Sequence, residues 1–256
     1  HLGPFSIQPA EIVRPLLLVF FANYLAGEDV NLSKFIKVVL LFGLPFTLIL
    51  VQPSLGVAIL TSIGFLGILL VSTVKKRYLL IGLIPLLIIT PFFWKTIPLY
   101  QRQRILTFVD PSKDPFGAGY NSLQAKISVG AGKLFGRGLG KGIQTQLSFL
   151  PERQTDFIFA SISEELGFVG ALFLLGASFS LLWRIVQYLD FTTNLKARAY
   201  ISAFFLTFLF QIIIHAGMNM GILPVTGVPY PLVSAGGSSL FATMIGLGIV
   251  LGTNRR

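Results

Sequence analysis

The sequence predicts an all-α fold: a polytopic membrane bundle of hydrophobic helices with one long extracytoplasmic loop. Of its 256 residues, 54% are hydrophobic and only 12% are charged, and the mean hydropathy is +0.78. Average soluble domains carry roughly 25% charged residues, so this chain has too few to cover a water-facing surface. A soluble enzyme and a disordered chain are therefore excluded, and the absence of cysteine excludes a disulfide-stapled fold.

Hydrophobic segments of membrane-spanning length account for most of the chain. A helix that crosses a bilayer needs about 20 mostly apolar residues. Seven segments meet this requirement, at about 10–27, 35–51, 55–74, 78–94, 161–188, 197–221 and 236–252. A polar stretch at about 95–160 separates the fourth from the fifth and is too long to be a turn. Because the chain starts at His1 without a signal peptide, we expect further residues upstream.

Basic residues between the spans predict the orientation. When the seven helices alternate across the membrane, the basic residues of one set of short connections and of the C-terminus fall on the same side. These residues are Lys34, Lys37, Lys75, Lys76, Arg77, Arg184, Lys196, Arg198, Arg255 and Arg256. The positive-inside rule makes that side cytoplasmic. The C-terminus is therefore predicted to be cytoplasmic, and the loop at about 95–160 faces the outside.

The excess of positive charge bears on the ligand. The net charge is +10, from 20 Lys and Arg against 10 Asp and Glu. In a soluble protein this balance would suggest nucleic acid. Here the basic residues flank apolar spans, so we expect membrane lipids or an anionic substrate and no nucleic acid. The long loop, with nine basic and four acidic residues, is either a solvated surface facing head groups or an electrostatic cradle for a phosphate-bearing substrate.

A glycine-rich segment runs through residues 117–142 and includes Gly136-Arg-Gly-Leu-Gly-Lys-Gly. It is not a Walker loop, because Gly142 follows Lys141 where Ser or Thr is needed, and no βαβ unit accompanies it. Two interpretations remain. The glycines let backbone N–H groups approach an anion closely, with Lys and Arg interleaved, or the segment is simply flexible.

Four of the ten carboxylates fall within fourteen residues: Glu152, Asp156, Glu164 and Glu165. If a helix begins near Thr155, Asp156 lies in its first turn, where the helix dipole favours a carboxylate. The alternative is a general base at a cationic, lipid-accessible site. Glu164 and Glu165 lie about two turns deeper, where ionisable groups usually face an interior cavity.

Two further sets of polar residues lie within predicted spans. Glu11 and Arg14 are three residues apart and can pair on one helical face, either to hide their charges from lipid or to contact substrate. Gln211, His215 and Asn219 form a polar stripe at intervals of four. We expect this stripe to make hydrogen bonds within the bundle, in preference to a proton relay, because its helix carries no carboxylate.

Several motifs occur in order along the whole chain. The principal one is Leu150-Pro-Glu-Arg-Gln-Thr-Asp-Phe-Ile-Phe, followed by Glu-Glu-Leu-Gly. The others are Gln8-Pro-Ala-Glu, Gln52-Pro-Ser-Leu-Gly, Asn121-Ser-Leu-Gln-Ala-Lys-Ile, Leu223-Pro-Val-Thr-Gly-Val-Pro and Gly236-Gly-Ser-Ser. Together they resemble the signature of the SEDS family (shape, elongation, division and sporulation proteins), and its elongation branch more than its division branch. The resemblance implies the SEDS fold of ten transmembrane helices, of which about three would lie upstream.

The resemblance implies a peptidoglycan glycosyltransferase of the bacterial cytoplasmic membrane. Its substrates would be lipid II and the undecaprenyl-pyrophosphate-linked glycan, and its transpeptidase partner a class B penicillin-binding protein. Asp156 matches the family's essential aspartate and is the predicted catalytic base for the acceptor sugar's 4-hydroxyl. The predicted substrate-binding residues are Glu152, Arg153, Lys126, Lys133, Arg137, Glu164, Glu165 and Gln124. The basic residues among them would stabilise the departing pyrophosphate. The pyrophosphate could bring Mg²⁺ or Mn²⁺ to Asp156 or Glu152.

Three residues depart from the family pattern: Gln154 where His is common, Ala235 where Tyr is usual, and Ala125 where Ser is frequent. None is the aspartate, so the expected reaction class stands. A lipid II transporter is the main alternative, motivated by the polar stripe and the cationic loop, although no internal repeat typical of transporters is evident. A division-type polymerase and an inactive scaffold are the others, and a scaffold would tolerate changes of Asp156.

Overall fold

The structure, a computed structural model, describes residues 8–27, 29–52, 54–75, 77–82, 98–110, 114 and 117–253. Within these ranges all the regular secondary structure is helical, as predicted. The helices are α1 (Pro9–Leu25), α2 (Leu32–Val51), α3 (Leu55–Val71), α4 (Leu99–Val109), α5 (Ala118–Ala131), α6 (Ile143–Gln146), α7 (Ile158–Phe191), α8 (Leu195–Asn219) and α9 (Gly237–Gly252). A helical stretch at residues 77–82 coincides with the start of the fourth predicted span, whose remainder lies outside the described residues.

Helices α1–α3 and α7–α9 coincide with the other six hydrophobic segments expected from the sequence. Three of the described helices, α2, α7 and α8, are long and apolar enough to cross a membrane, with 20, 34 and 25 residues, and α3 and α9 are shorter apolar helices. In the most apolar 18-residue stretch of α2, and likewise of α7, 17% of the stretch is buried inside the protein, whereas in α8 the buried share is 67%. Protein therefore surrounds most of α8, while α2 and α7 present the kind of apolar surface that faces lipid.

The described residues of the polar segment at about 95–160 include three helices, α4, α5 and α6. Helix α5 shows how it packs. Ala125 and Ser128, one turn apart, are completely buried, and small side chains on one face allow a helix to approach its neighbours closely. Ala125 belongs to a buried cluster with Leu150, Phe157 and Ala160. This cluster joins α5 to the start of α7, next to the predicted catalytic aspartate.

The chain divides into two compact units. The described part of the first unit lies within Gln103–Arg184 and Phe208–Thr243 and holds the candidate site. The second unit comprises Gln8–Arg102, Ile185–Thr207 and Met244–Arg256.

Glycine and aromatic contacts hold the second unit together. A Cβ at Gly67 would lie 2.8 Å from the backbone of Ala203, so α3 and α8 approach closely here, as small residues permit between membrane helices. The rings of Phe42 and Phe65 stack with centroids 4.2 Å apart and join α2 to α3. The core of this unit is therefore built by packing along helix faces.

The predicted pair on α1 also lies in the second unit. Glu11 and Arg14 are each only 5% exposed, and their opposite charges attract one another. Burial of both side chains agrees with a pair that hides its charges from lipid.

Helix α7 is interrupted at Gly167, whose φ of 70° and ψ of −165° are not helical. Four backbone groups beside the break lose their helical partners, and all four bond to the glycine-rich segment instead. The bonds run from Phe168 N–H to Lys133 O (2.8 Å), from Val169 N–H to Leu134 O (3.1 Å), from Arg137 N–H to Glu164 O (2.9 Å) and from Gly138 N–H to Glu165 O (3.0 Å). Because backbone groups need partners, above all in a membrane protein, this segment completes the broken helix.

Two glycines make this close packing possible. A Cβ at Gly136 would collide with the carbonyl oxygen of Glu165, and a Cβ at Gly167 would collide with the backbone nitrogen of Gly136. Both glycines also have positive φ, which other residues adopt at a cost. Close packing between the glycine-rich segment and α7 therefore requires glycine at both positions. Neither of the two interpretations of the sequence, an anion cradle or a flexible segment, predicts this packing.

Candidate active site

Asp156 lies in a turn before α7 whose carbonyl groups are all bonded. The helix begins at Ile158 and not near Thr155, so Asp156 stands outside its first turn. The Glu152 carbonyl accepts from the N–H groups of Thr155 and Phe157 (both 3.1 Å), and the Arg153 carbonyl accepts from Ser161 Oγ (3.0 Å). The Gln154 carbonyl accepts from Ala235 N–H (2.8 Å), and the Thr155 carbonyl accepts from Ser234 Oγ (2.7 Å). The Asp156 carbonyl accepts from Asn219 Nδ2 (3.0 Å). The Asp156 side chain is therefore carried on a firmly held backbone.

The Asp156 carboxylate borders a small space that it shares with Arg104. A Cβ built at Gly227 would lie 3.7 Å from Asp156 Oδ2 and 3.3 Å from Arg104 Nη1. Asp156 and Arg104 are partly buried, whereas Gly227 is exposed. A candidate base thus stands beside a permanent positive charge at a position open to the surface.

Residues 227–230, which we call the Gly227 segment, are anchored by hydrogen bonds to Gln211 and His215 of the polar stripe on α8. Gln211 Nε2 donates to the Pro229 carbonyl (3.0 Å), and His215 Nδ1 lies 2.7 Å from the Val228 carbonyl. Because a carbonyl oxygen only accepts, His215 carries its proton on Nδ1. These contacts confirm that the stripe makes hydrogen bonds within the bundle.

Tyr230 secures the other end of this segment. Its hydroxyl lies 2.8 Å from Ser178 Oγ on α7, and its backbone N–H donates to Ser234 Oγ (2.8 Å). Since Ser234 Oγ also donates to the Thr155 carbonyl, one hydroxyl group links the Gly227 segment to the turn of Asp156. Burial raises the pKa of Tyr230 above its ordinary value, so its phenol stays protonated at neutral pH.

Glu164 and Glu165 both bond to α6. Glu164 is completely buried, and its two carboxylate oxygens accept the backbone N–H groups of Gln144 (2.9 Å) and Thr145 (3.0 Å). It thereby caps the first turn of α6 from another helix. Glu165 Oε1 accepts from Gln146 Nε2 (3.2 Å). Glu164 therefore has a structural role, and the expected contacts of these glutamates with substrate stay a prediction.

The predicted cations occupy different positions in the first unit. Lys126, Lys133 and Arg137 are exposed. Lys126 lies against Gly221, where a Cβ would collide with the lysine side chain, and the other two belong to the segment that completes α7. Arg153 is partly buried, and its Nη1 atom is buried with no hydrogen-bond partner among the described residues. Among these four cations, Arg153 therefore has a buried donor atom, Nη1, that is available to a ligand.

A cavity of about 250 Å³ adjoins Arg153. Its polar lining is formed by Arg153, Thr145, Gln146, Gln154, Ser161 and Glu165. The cavity therefore offers hydrogen-bond donors and acceptors close in sequence to Asp156. Gln124, partly buried on α5, is not among the lining residues, and its predicted contact with substrate stays a prediction.

The described residues contain no group of three or more His, Cys, Asp or Glu side chains that could hold a metal ion. Glu152 is exposed, and its Oε2 atom accepts from Thr155 Oγ1 (2.9 Å). Two carboxylates suit a cation that takes most of its ligands from water and phosphate, as Mg²⁺ often does, and the predicted metal contact of Asp156 or Glu152 stays a prediction.

Sequence reasoning missed Arg104, Asn219, Gly227 and Ser234 as parts of this site. Arg104 was one of nine basic residues in the long loop, and no spacing rule distinguishes it from the others. Gly227 belongs to a recognised motif, but the order of residues along the chain does not indicate that it borders Asp156. Contacts of this kind depend on how α4, α7 and α8 are arranged within the first unit.

Known proteins resemble the chain over its full extent. Residues 1–256 match the family model of the FtsW, RodA and SpoVE cell cycle proteins. The peptidoglycan glycosyltransferase MrdB of Escherichia coli is 39% identical over 254 residues, which cover 98% of this chain and 68% of MrdB. The probable peptidoglycan glycosyltransferase FtsW of Buchnera aphidicola subsp. Schizaphis graminum is 37% identical over 261 residues, which cover 98% of this chain and 72% of that protein.

Solved structures show the same fold. A chain of a peptidoglycan synthase complex that coordinates polymerization and crosslinking is 35% identical, with a TM-score of 0.80, over 98% of this chain and 70% of its own length. The rod shape determining protein RodA of Thermus thermophilus is 30% identical, with a TM-score of 0.66, over 98% of this chain and 66% of its own length. Because the family model spans every residue and these relatives agree in sequence and fold, the chain belongs to the SEDS family of multi-pass membrane proteins that includes FtsW, RodA and SpoVE.

Proposed function

We propose that this chain polymerises lipid II into glycan strands at the outer face of the bacterial cytoplasmic membrane, with Asp156 as the general base. The chain is a peptidoglycan glycosyltransferase of the SEDS family, the activity that its relative MrdB carries in its name. One observation carries the role of Asp156: its carboxylate shares a small, surface-open space with Arg104.

In this reaction the 4-hydroxyl oxygen of the acceptor lipid II attacks the anomeric carbon of the donor glycan. The new carbon–oxygen bond forms as the bond from that carbon to undecaprenyl pyrophosphate breaks, and the pyrophosphate leaves with the bonding electron pair. Asp156 accepts the proton of the attacking hydroxyl. Arg104 and the loop cations stabilise the negative charge that develops on the pyrophosphate.

The loop cations contribute in two ways. Arg153 has a buried, unpartnered Nη1 atom beside a cavity, which supports a direct, charge-assisted hydrogen bond to substrate. Lys126, Lys133 and Arg137 are exposed, which suits long-range attraction of an anionic lipid. Asp156 or Glu152 would hold a divalent cation that the pyrophosphate brings, and the cation would supply positive charge to stabilise the leaving group. Removal by a chelator, followed by addition of Mg²⁺ or Mn²⁺, tests that part of the proposal.

The orientation and the partner follow from the family and from the charges. Basic residues in the short connections support a cytoplasmic C-terminus and an extracytoplasmic Asp156. Because the chain has no cysteine, single cysteines at Lys141 and Lys196 can be labelled with an impermeant thiol reagent, and only the first should react in intact cells.

The likeness to a chain of a peptidoglycan synthase complex supports a class B penicillin-binding protein as partner, and the likeness to a rod shape determining protein supports a role in elongation.

Polymerisation by the full-length protein tests the proposed reaction. The protein is purified with its candidate partner and supplied with lipid II, and the products are resolved by glycan length. Asp156→Asn is compared with wild type and with Asp190→Asn, which changes an exposed carboxylate at the far end of α7. We expect polymer from wild type and Asp190→Asn and none from Asp156→Asn. Full polymerisation by well-expressed Asp156→Asn would refute the base role.

A lipid II transporter has less support. The polar stripe that motivated it bonds to the protein's own backbone at Pro229 and Val228. Movement of lipid II across vesicle membranes, with no polymer from the folded wild-type protein and its partner, would favour transport instead.

A further inference from the structure

The Asn219 side chain occupies the place of a helical hydrogen bond at the start of α7. In an uninterrupted helix, Ala160 N–H would donate to the Asp156 carbonyl four residues earlier. Instead, Ala160 N–H donates to Asn219 Oδ1 (3.0 Å), and the Asp156 carbonyl accepts from Asn219 Nδ2 (3.0 Å). The carboxamide bonds to both groups and keeps them apart, so α7 begins at Ile158 and Asp156 stays outside the helix.

The surrounding protein holds this carboxamide in place. Asn219 is completely buried, and its Nδ2 atom also donates to the His215 carbonyl (2.8 Å), one turn earlier in α8. Both Nδ2 hydrogens and the Oδ1 atom are therefore used. An aspartate at this position would lack the donors, and an apolar side chain would lack donors and acceptor alike.

We propose that Asn219 is a positioning residue that holds Asp156 out of α7, with its carboxylate beside Gly227 and Arg104. This inference rests on the proposed function, in which Asp156 is the base. Without the carboxamide, Ala160 N–H and the Asp156 carbonyl can bond to each other, which extends α7 and moves Asp156 toward its first turn. The new helical bond pairs the Ala160 N–H with the Asp156 carbonyl, and of the three groups that the carboxamide bonds only the His215 carbonyl loses this partner, so stability changes little. Turnover falls, because a base must lie within hydrogen-bond reach of the proton it takes.

Two substitutions of Asn219 in the full-length protein test the inference. Asn219→Ala removes the carboxamide, and Asn219→Leu fills nearly the same space but cannot bond. Thr207→Val is the matched control, because Thr207 is also buried on α8 and its hydroxyl donates to the Ala203 carbonyl of the same helix (2.8 Å). Turnover at saturating lipid II, the half-saturating lipid II concentration and the melting temperature are measured for each variant, with Asp156→Asn alongside.

We expect both Asn219 variants to lose about tenfold to a hundredfold in turnover. Their half-saturating lipid II concentrations should match wild type, and their melting temperatures should match that of Thr207→Val. Wild-type turnover in either Asn219 variant overturns the inference. A loss of turnover that merely follows a loss of melting temperature also overturns it, because Asn219 would then be a structural residue.

The Asp156→Asn arm separates this inference from the proposed function. Normal polymerisation by Asp156→Asn removes the base role, and the role of Asn219 falls with it. An inactive Asp156→Asn beside active Asn219 variants refutes only the inference about Asn219.

Discussion

The backbone N–H of Phe168 lies 2.8 Å from the carbonyl oxygen of Lys133, and this bond replaces a helical hydrogen bond that the break at Gly167 removes. The glycine-rich segment therefore supplies the hydrogen-bond partners that an unbroken α7 would provide within itself. At about 1.5 Å per residue, the part of α7 that follows Gly167 is long enough to cross a bilayer core of about 30 Å unaided. We accordingly expect Glu164 and Glu165 to lie near the membrane surface, beside the candidate site.

Gly136→Ala should destabilise the protein more than Gly140→Ala. Both glycines have positive φ, so alanine costs each about 1 kcal/mol or slightly more in backbone strain. At Gly136 the added Cβ would also collide with the Glu165 carbonyl, whereas at Gly140 it meets nothing within 4 Å. Melting temperatures of the two variants in detergent measure the difference. Equal melting temperatures would show that the segment does not pack against α7.

Glu164→Gln should cost about 1–3 kcal/mol of stability. Both Glu164 oxygens accept backbone N–H groups, and a glutamine would turn a donor toward one of them. Glu165→Gln is the neighbouring control, because it keeps an oxygen that can accept from Gln146 Nε2. Thermal unfolding of both variants checks the prediction. A Glu164→Gln protein as stable as wild type would mean that its carboxylate does not cap α6.

Arg104→Ala should lower polymerisation by at least about a hundredfold, the typical effect of removing a group that stabilises developing charge. Arg104→Lys should recover part of the rate, because lysine keeps the charge but not the planar guanidinium. The control is Lys141→Ala, which removes an exposed cation from the same loop. Rates at saturating lipid II distinguish the variants. Equal losses in Arg104→Ala and Lys141→Ala would indicate a general effect of loop charge.

Gly227→Ala should reduce polymerisation without an unusual loss of stability. Its Cβ would enter the space between Arg104 and Asp156, at 3.3 Å and 3.7 Å from their side-chain atoms. Gly27→Ala is the control for backbone strain, since Gly27 also has positive φ but a Cβ there meets nothing within 4 Å. We expect both variants to melt at similar temperatures and only Gly227→Ala to be slow. Full activity in Gly227→Ala would show that the reacting groups do not use this space.

Composition and hydropathy were enough to predict an all-α membrane protein, because 12% charged residues are too few to cover a water-facing surface and the apolar runs have the length of membrane-spanning helices. The motif around Asp156 likewise indicated the candidate base through its resemblance to the SEDS signature, whose residues here are consecutive, and the catalytic role of Asp156 stays a prediction. The stripe of Gln211, His215 and Asn219 was predicted to bond within the bundle from its spacing and from the absence of a carboxylate on its helix. Each of these inferences depends on residues that are close together along the chain.

The partners of those residues could not be read from the order of the sequence. Asn219 meets Asp156 and Ala160, and Gly227 meets Arg104, only because separate helices are brought together. The glycine-rich segment shows the same limit. Its composition is equally compatible with an anion cradle and with a flexible loop, and the need for glycine at Gly136 arises from the backbone of α7. Hydropathy acts locally along the chain, whereas hydrogen bonds and steric contacts are satisfied in three dimensions by whichever groups the fold brings within reach.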